Sequence, residues 1–139
     1  MTRYLLDTHI AIWFLLGNSK LAKNIREEIE YFQDIYFVSV VSLQEIVLLK
    51  KIQRIRTDMS LQKIIELLKN YNIGILELNS RHIETYETLS SPIINGKQHD
   101  DPFDRLLISQ SIADKMTLIS ADKKFPFYKD KGFKLREND

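Results

Sequence analysis

The side chains best placed to do chemistry in this sequence are acidic. Asp7 ends the short apolar run Tyr4-Leu5-Leu6, and Glu45 follows a second apolar run, Ile35-Tyr36-Phe37-Val38. Asp101 and Asp104 share the segment Asp-Pro-Phe-Asp, and Asp122 follows Thr117-Leu118-Ile119. Carboxylates that meet in one place form a hard oxygen donor set of the kind Mg²⁺ or Mn²⁺ takes. The chain has no cysteine, which excludes thiol chemistry, zinc ribbons and cysteine-ligated clusters. His9, His82 and His99 do not stand at a metal-ligand spacing.

Each acid also has an ordinary structural use. Asp7 can cap a helix beginning at Thr8. Asp101, directly before a proline and an apolar helix, reads as an N-cap, and Asp104 suits a capping box or the helix dipole. Asp122 can serve a turn or cap a short helix. Glu45 is harder to explain this way. Its helical neighbours are Val41, Ser42, Leu48 and Leu49, three of them apolar. A carboxylate on that face needs a cation, hydrogen-bond donors or a buried partner such as Arg105. His9 is expected at a core edge or cleft rim, His82 in solvent, and His99 at the cleft mouth.

The elements that must position these residues alternate. Strands are expected at Tyr4–Leu6, Ile35–Val38, Ile73–Leu78, Thr117–Ile119 and Phe133–Leu135. Helices are expected from Thr8 to Leu16, stopped by Gly17, and from Ser19 as N-cap through about Phe32. Others run from Ser39 or Ser42 toward Ile52, from Asp58 or Ser60 through Leu68, from Ser80 to about Leu89, and from Asp101-Pro102 to Ala113. Ser90 to Asp100, with Pro92, Asn95 and Gly96, reads as a loop. Apolar strands separated by helices give an α/β fold with a mainly parallel sheet of about five strands. In such sheets ligands gather beyond the carboxyl ends of the strands, where the winding direction reverses. The acids converge only if the first and fourth strands are neighbours there.

The composition limits the alternatives. With 139 residues, the chain suits a single domain over 1–139, large enough to bury a core without disulfides. Hydrophobic residues are 44% and charged residues 28%, a globular rather than disordered balance. Twenty basic against 19 acidic residues leave a net charge of +1, so any nucleic-acid contact must come from local patches. The longest apolar run, Ile10 to Leu16, is far shorter than the ~20 residues of a spanning helix. Asp7 and His9 interrupt any signal-peptide core, so a cytoplasmic protein without a membrane association is expected.

Four segments together resemble the PIN-domain proteins of the VapC toxin type. They are Leu5-Leu6-Asp7-Thr8-His9 through Trp13, Ser39 to Ile46 around Glu45, His99-Asp100-Asp101-Pro102-Phe103-Asp104-Arg105-Leu106-Leu107-Ile108, and Leu118-Ile119-Ser120-Ala121-Asp122. They occur in the family's order and span nearly the whole chain. The resemblance implies a three-layer α/β/α fold and a Mg²⁺ or Mn²⁺ site built from Asp7, Glu45, Asp104 and Asp122, with Asp101 an additional acid. It implies an endoribonuclease, the toxin of a toxin–antitoxin pair, restrained by a cognate antitoxin. Ser120 matches a position that often carries a hydroxyl, and Ala121 stands where many relatives have a basic residue. On this reading Asp7 and Asp104 are the main metal ligands, Asp122 binds through water or holds a second ion, and Glu45 orients the ligands or the attacking water.

RNA would need positioning charge. Lys50, Lys51, Arg54 and Arg56 form one basic block, and a second begins beside Asp122. Lys123, Lys124 and Arg105 are the preferred contacts. Leu and Ile residues in the helix from Ser19 and between Ile46 and Leu68 are candidates for a homodimer or antitoxin surface. Two other readings compete. A haloacid-dehalogenase-like phosphatase also places Asp after its first strand, but wants a second Asp where His9 stands. A non-catalytic PIN-like domain would bind a partner without cleaving RNA.

Overall fold

The computed structural model describes all residues from Met1 to Asp139. Its elements are β1 (Arg3–Leu6), α1 (Thr8–Leu16), α2 (Lys23–Glu30), β2 (Ile35–Ser39), α3 (Val40–Lys51), α4 (Leu61–Asn70) and β3 (Ile73–Leu76). There follow α5 (Ser80–Thr88), β4 (Ile93–Ile94), β5 (Lys97–Gln98), α6 (Pro102–Ala113), β6 (Thr117–Ser120), a 3-10 turn at Phe125–Phe127, and β7 (Lys134–Glu137). The main sheet has the order β3-β2-β1-β6-β7, and every neighbouring pair is parallel. The first and fourth expected strands are therefore adjacent, as β1 and β6, with Leu6 opposite Ile119. The chain winds one way through β2 and β3 and the other way through β6 and β7, so β1 and β6 flank the reversal.

Strand side chains alternate between faces, so each apolar run feeds two cores. Leu6, Val38 and Ile119 pack with Ile10, Ile25, Ile46, Ile64 and Leu68 from α1 to α4. Leu5 and Leu118 pack with Leu107 and Ile108 of α6, and with Met116, Phe125 and Tyr128. Two cores separated by one sheet make the expected three layers. No helix is long and apolar enough to cross a membrane.

Four local expectations give way to tertiary contacts or missed turn chemistry. Ser19 does not cap α2. That helix starts at Lys23 after Ala22, which has no capping side chain, and the Ala22 N–H donates instead to Asn138 Oδ1 at 2.7 Å. Asn79, rather than Ser80, caps α5, in a reciprocal box with His82. His82 is accordingly fully buried instead of solvated, its Nε2 lying 2.9 Å from Asp114 Oδ2 beyond α6. The segment read as a loop contains a two-residue hairpin, β4 to β5, turning on Asn95 and Gly96 at φ 52° and 79°. Left-handed φ at both central residues suits an Asn-Gly turn.

Gly74 in β3 sits opposite Phe37 in β2, and a Cβ there would lie 2.9 Å from two Phe37 ring carbons. Gly74→Ala is expected to destabilise the fold by about 1–3 kcal/mol through overpacking. Urea denaturation checks this, and an unchanged midpoint would mean that the ring can shift freely.

Candidate active site

The site is assembled from helix starts at the carboxyl edge of the sheet. Asp7 leaves β1 and caps α1. Its Oδ1 accepts from the Thr8 N–H at 2.7 Å and its Oδ2 from the Ser120 hydroxyl at 2.7 Å. The Ser120 oxygen in turn accepts from the Asp122 N–H at 3.0 Å. These bonds tie the end of β6 to a carboxylate that is only 6% exposed. Burial pushes its pKa up to about 6, while the Ser120 and Thr8 hydrogen bonds and nearby His9 pull it down.

Side-chain hydrogen bonds set the neighbouring helices. The Thr8 hydroxyl donates to Ser42 Oγ at 2.9 Å, joining α1 to α3. Glu45 lies three residues further along α3, on the same face as Ser42. Ser39 caps α3 and donates its hydroxyl to Gln110 Oε1 at 2.5 Å, joining the end of β2 to α6. Asp101 caps α6 by accepting from the Asp104 N–H at 3.0 Å, with Pro102 at the first helical position. Asp104 then projects from the first turn.

All five expected acids line one cleft of about 540 Å³, with His9, Trp13, Arg54, Ala121 and Lys124. Crowding shows most clearly at Asp104. Burial is the largest cause, and the charges of Asp101, Asp7, Asp122 and Glu45 add to it, pushing its pKa up to about 8. Asp122 also has its ordinary turn role, accepting from the Lys124 N–H at 2.9 Å. A second cleft of about 600 Å³ adjoins the first, shares Asp101 and Lys124, and is walled by the β4–β5 hairpin. His99, 8% exposed, lies at this junction, and burial and Lys124 lower its pKa.

Several expectations are corrected. Arg105 does not line the cleft and does not pair with Glu45. It is buried, its guanidinium donates to Ser90 O at 2.8 Å and Tyr128 Oη at 3.1 Å, and it lies over the Tyr86 ring. Glu45 is half-exposed at the cleft rather than submerged in an apolar face. Lys124 lines the cleft but its neighbour Lys123 does not. Arg54 does line it. It comes from the basic block that ranked second, and nothing in that run of charges distinguishes it. The signal lies in the chain reversal after α3, where Gln53 adopts φ 59° and the Arg54 N–H returns to Leu49 O at 2.8 Å.

The donor set fits a hard divalent cation. The acids offer only carboxylate oxygens, and burial together with the neighbouring acids raises the pKa of Asp104 to about 8. No group of three or more His, Asp or Glu side chains is spaced to hold a metal ion in this structure, so the fit is one of donor chemistry.

The fold and site thus define an all-parallel α/β domain with an acidic cleft at its winding reversal. Residues 4–131 match the PIN domain family, and the chain belongs to it. No curated protein sequence matches the chain. Among solved structures it is similar to VapBC2 from Rickettsia felis bound to a promoter DNA fragment, with 18% identity, a TM-score of 0.73, and 99% and 100% of the two chains covered. DNA-bound VapBC from Salmonella typhimurium gives 11%, 0.71, and 99% and 98%. VapBC-1 from nontypeable Haemophilus influenzae gives 18%, 0.64, and 98% of both chains. At these identities the likeness is one of fold.

The two raised acids set a pH dependence. Both hold protons in the folded chain that the unfolded chain releases near the ordinary aspartate value of 3.8. Their contribution is therefore complete below about pH 4 and is lost as pH rises through about 6 and then 8. Without divalent ions, the thermal midpoint should fall between pH 5 and 8, on the order of the window these pKa values set. Asp104→Asn should remove most of the upper part of that fall. A wild-type midpoint that is flat or rising over this interval would contradict the crowding.

Proposed function

We propose that this protein is a Mg²⁺- or Mn²⁺-dependent endoribonuclease of the VapC toxin type, active in the cytoplasm and restrained by a cognate antitoxin. The observation that carries the reading is the meeting of Asp7, Glu45, Asp101, Asp104 and Asp122 on one cleft of a PIN-domain chain. The VapBC neighbours support the antitoxin. So does apolar surface where the sequence leads one to look for it, since Leu48, Ile52 and Leu61 are all at least 40% exposed. The same surface suits a homodimer. The absence of cysteine fits a reducing compartment.

Asp7, Asp104 and Asp122 would hold the ion, with Asp101 beside them. The ion would lower the pKa of a bound water and neutralise charge developing on the scissile phosphate. The chain's own residues do the rest. Ser120 and the Thr8 N–H fix the Asp7 carboxylate in one orientation. Asp104, whose pKa burial and the neighbouring acids raise to about 8, would hold the ion as a carboxylate, the form that nearby positive charge favours. No protein donor satisfies Glu45, so it is free to orient the attacking water and accept its proton. Arg54 and Lys124 border the acids with positive charge for flanking phosphates. Trp13 supplies a ring on which a base can stack.

Asp7→Asn and Asp104→Asn should each lower cleavage of a fluorescent single-stranded RNA by roughly 10²-fold or more, as loss of a main charge-stabilising group does. EDTA should abolish cleavage by the wild type. Cleavage that survives EDTA or both substitutions would end this reading. The basic residues give a separate test. Each phosphate contact contributes about 0.7 to the slope of log affinity against log salt for single strands. Lys124→Ala and Arg54→Ala should each flatten the slope by about that amount, and Lys123→Ala should leave it alone. Fluorescence anisotropy in Ca²⁺ measures it. A Lys123 effect equal to that of Lys124 would show that the charge acts diffusely rather than from the cleft.

A further inference from the structure

Two buried side-chain polar atoms lack a hydrogen-bond partner, Tyr36 Oη and His99 Nε2. Only the second lies beside the acids, 3.3 Å from Asp104 Oδ2 and not aligned as a hydrogen bond. The other side of the ring is fully engaged. A guanidinium can only donate, so Arg105 Nη1 donates to Tyr128 Oη at 3.1 Å. The phenol keeps its own proton to give, and His99 Nδ1 is 2.6 Å away. The arrangement that uses the phenol proton has Tyr128 donate to Nδ1; an accepting ring nitrogen carries no proton, so in this arrangement the imidazole proton is on Nε2, facing Asp104. The ring cannot easily turn away. It packs edge-on against Tyr128 at 81° and 5.5 Å, and Tyr128 packs against Phe133.

We infer that His99 is a positioning residue for Asp104: Arg105 and Tyr128 set its tautomer, so that its unpartnered Nε2–H, 3.3 Å from one carboxylate oxygen, closes on that oxygen when the other is engaged in the cleft. The inference rests on the proposed role of Asp104 as a metal ligand. Partners of this kind behind ligating carboxylates fix their orientation and sharpen metal affinity. The same arrangement gives Arg105 a purpose although it never reaches the cleft. Besides donating to Ser90 O, it orients a hydroxyl two groups away from the acid.

The test uses the full chain and Mn²⁺ alone as the probe. An Asn side chain reaches only as far as Nδ1, whereas Gln carries an N–H to about the position of Nε2. His99→Asn should weaken Mn²⁺ binding in calorimetry by roughly 10–100-fold. His99→Gln should recover most of that affinity. Tyr128→Phe keeps the packing but frees the tautomer, and should fall between them. With RNA, kcat should drop in the same order while KM stays put. Should His99→Asn not fold, the comparison of Tyr128→Phe with wild type carries the test. Wild-type Mn²⁺ affinity in His99→Asn or Tyr128→Phe would overturn the inference. So would equal losses in the Asn and Gln variants that track their thermal midpoints, because that marks a role in folding alone. A wild-type chain that binds no Mn²⁺ would instead remove the metal reading of the cleft, and this inference with it.

Discussion

Like charges have to be kept together around one cleft, with Asp7 buried at its base, and much of the local structure answers to that constraint. Asp7 is buried at the end of β1, and Asp104 faces it from the start of α6 under the influence of three further carboxylates. Left to themselves, such groups separate or take up protons. Three of the five are anchored, Asp7, Asp101 and Asp122, each by a backbone N–H at its helix start or turn. Asp7 is held by the Thr8 N–H and the Ser120 hydroxyl, and Asp101 by the N–H of Asp104. The apolar cores on both faces of the sheet supply the stability that offsets the repulsion.

The helix starts explain how one residue serves two ends. In a parallel sheet every strand runs toward the same edge, so the helices that follow begin there. Their first turns present unsatisfied N–H groups and a partial positive charge. Asp7 and Asp101 are ordinary caps of α1 and α6 and at the same time line the cleft. The capping and the functional readings therefore do not compete. A cap is what aims the carboxylate, and the helix end makes its negative charge tolerable.

A chain with 11–18% identity to its structural neighbours keeps their fold because the requirements on the buried strands are loose. Leu5, Leu6, Leu118 and Ile119 need only be apolar and of suitable volume. The polar ties are more demanding. Thr8 to Ser42 and Ser39 to Gln110 are buried side-chain pairs, and each needs both partners. They lock α1 to α3 and β2 to α6, which decides where Glu45 and Asp104 face.

Much was legible in the chain itself. The five apolar runs, the helix caps at Asp7 and Asp101, and the order of the acids follow from local propensity and spacing, because those rules act over a few residues, whereas the structure chooses Ser39 over Ser42 and Ser60 over Asp58. The Asn95-Gly96 dipeptide carries a strong hairpin preference that reading the whole segment as a loop overlooks. Other features were decided by the tertiary structure. The burial of His82, the capture of the Ala22 N–H by Asn138, the arrival of Arg54 in the cleft and the withdrawal of Arg105 from it all depend on partners far along the chain. The same holds for the acids. Their types and order are written in the sequence, but the parallel pairing of β1 with β6 brings them to one cleft, since charge density is a property of distance in space.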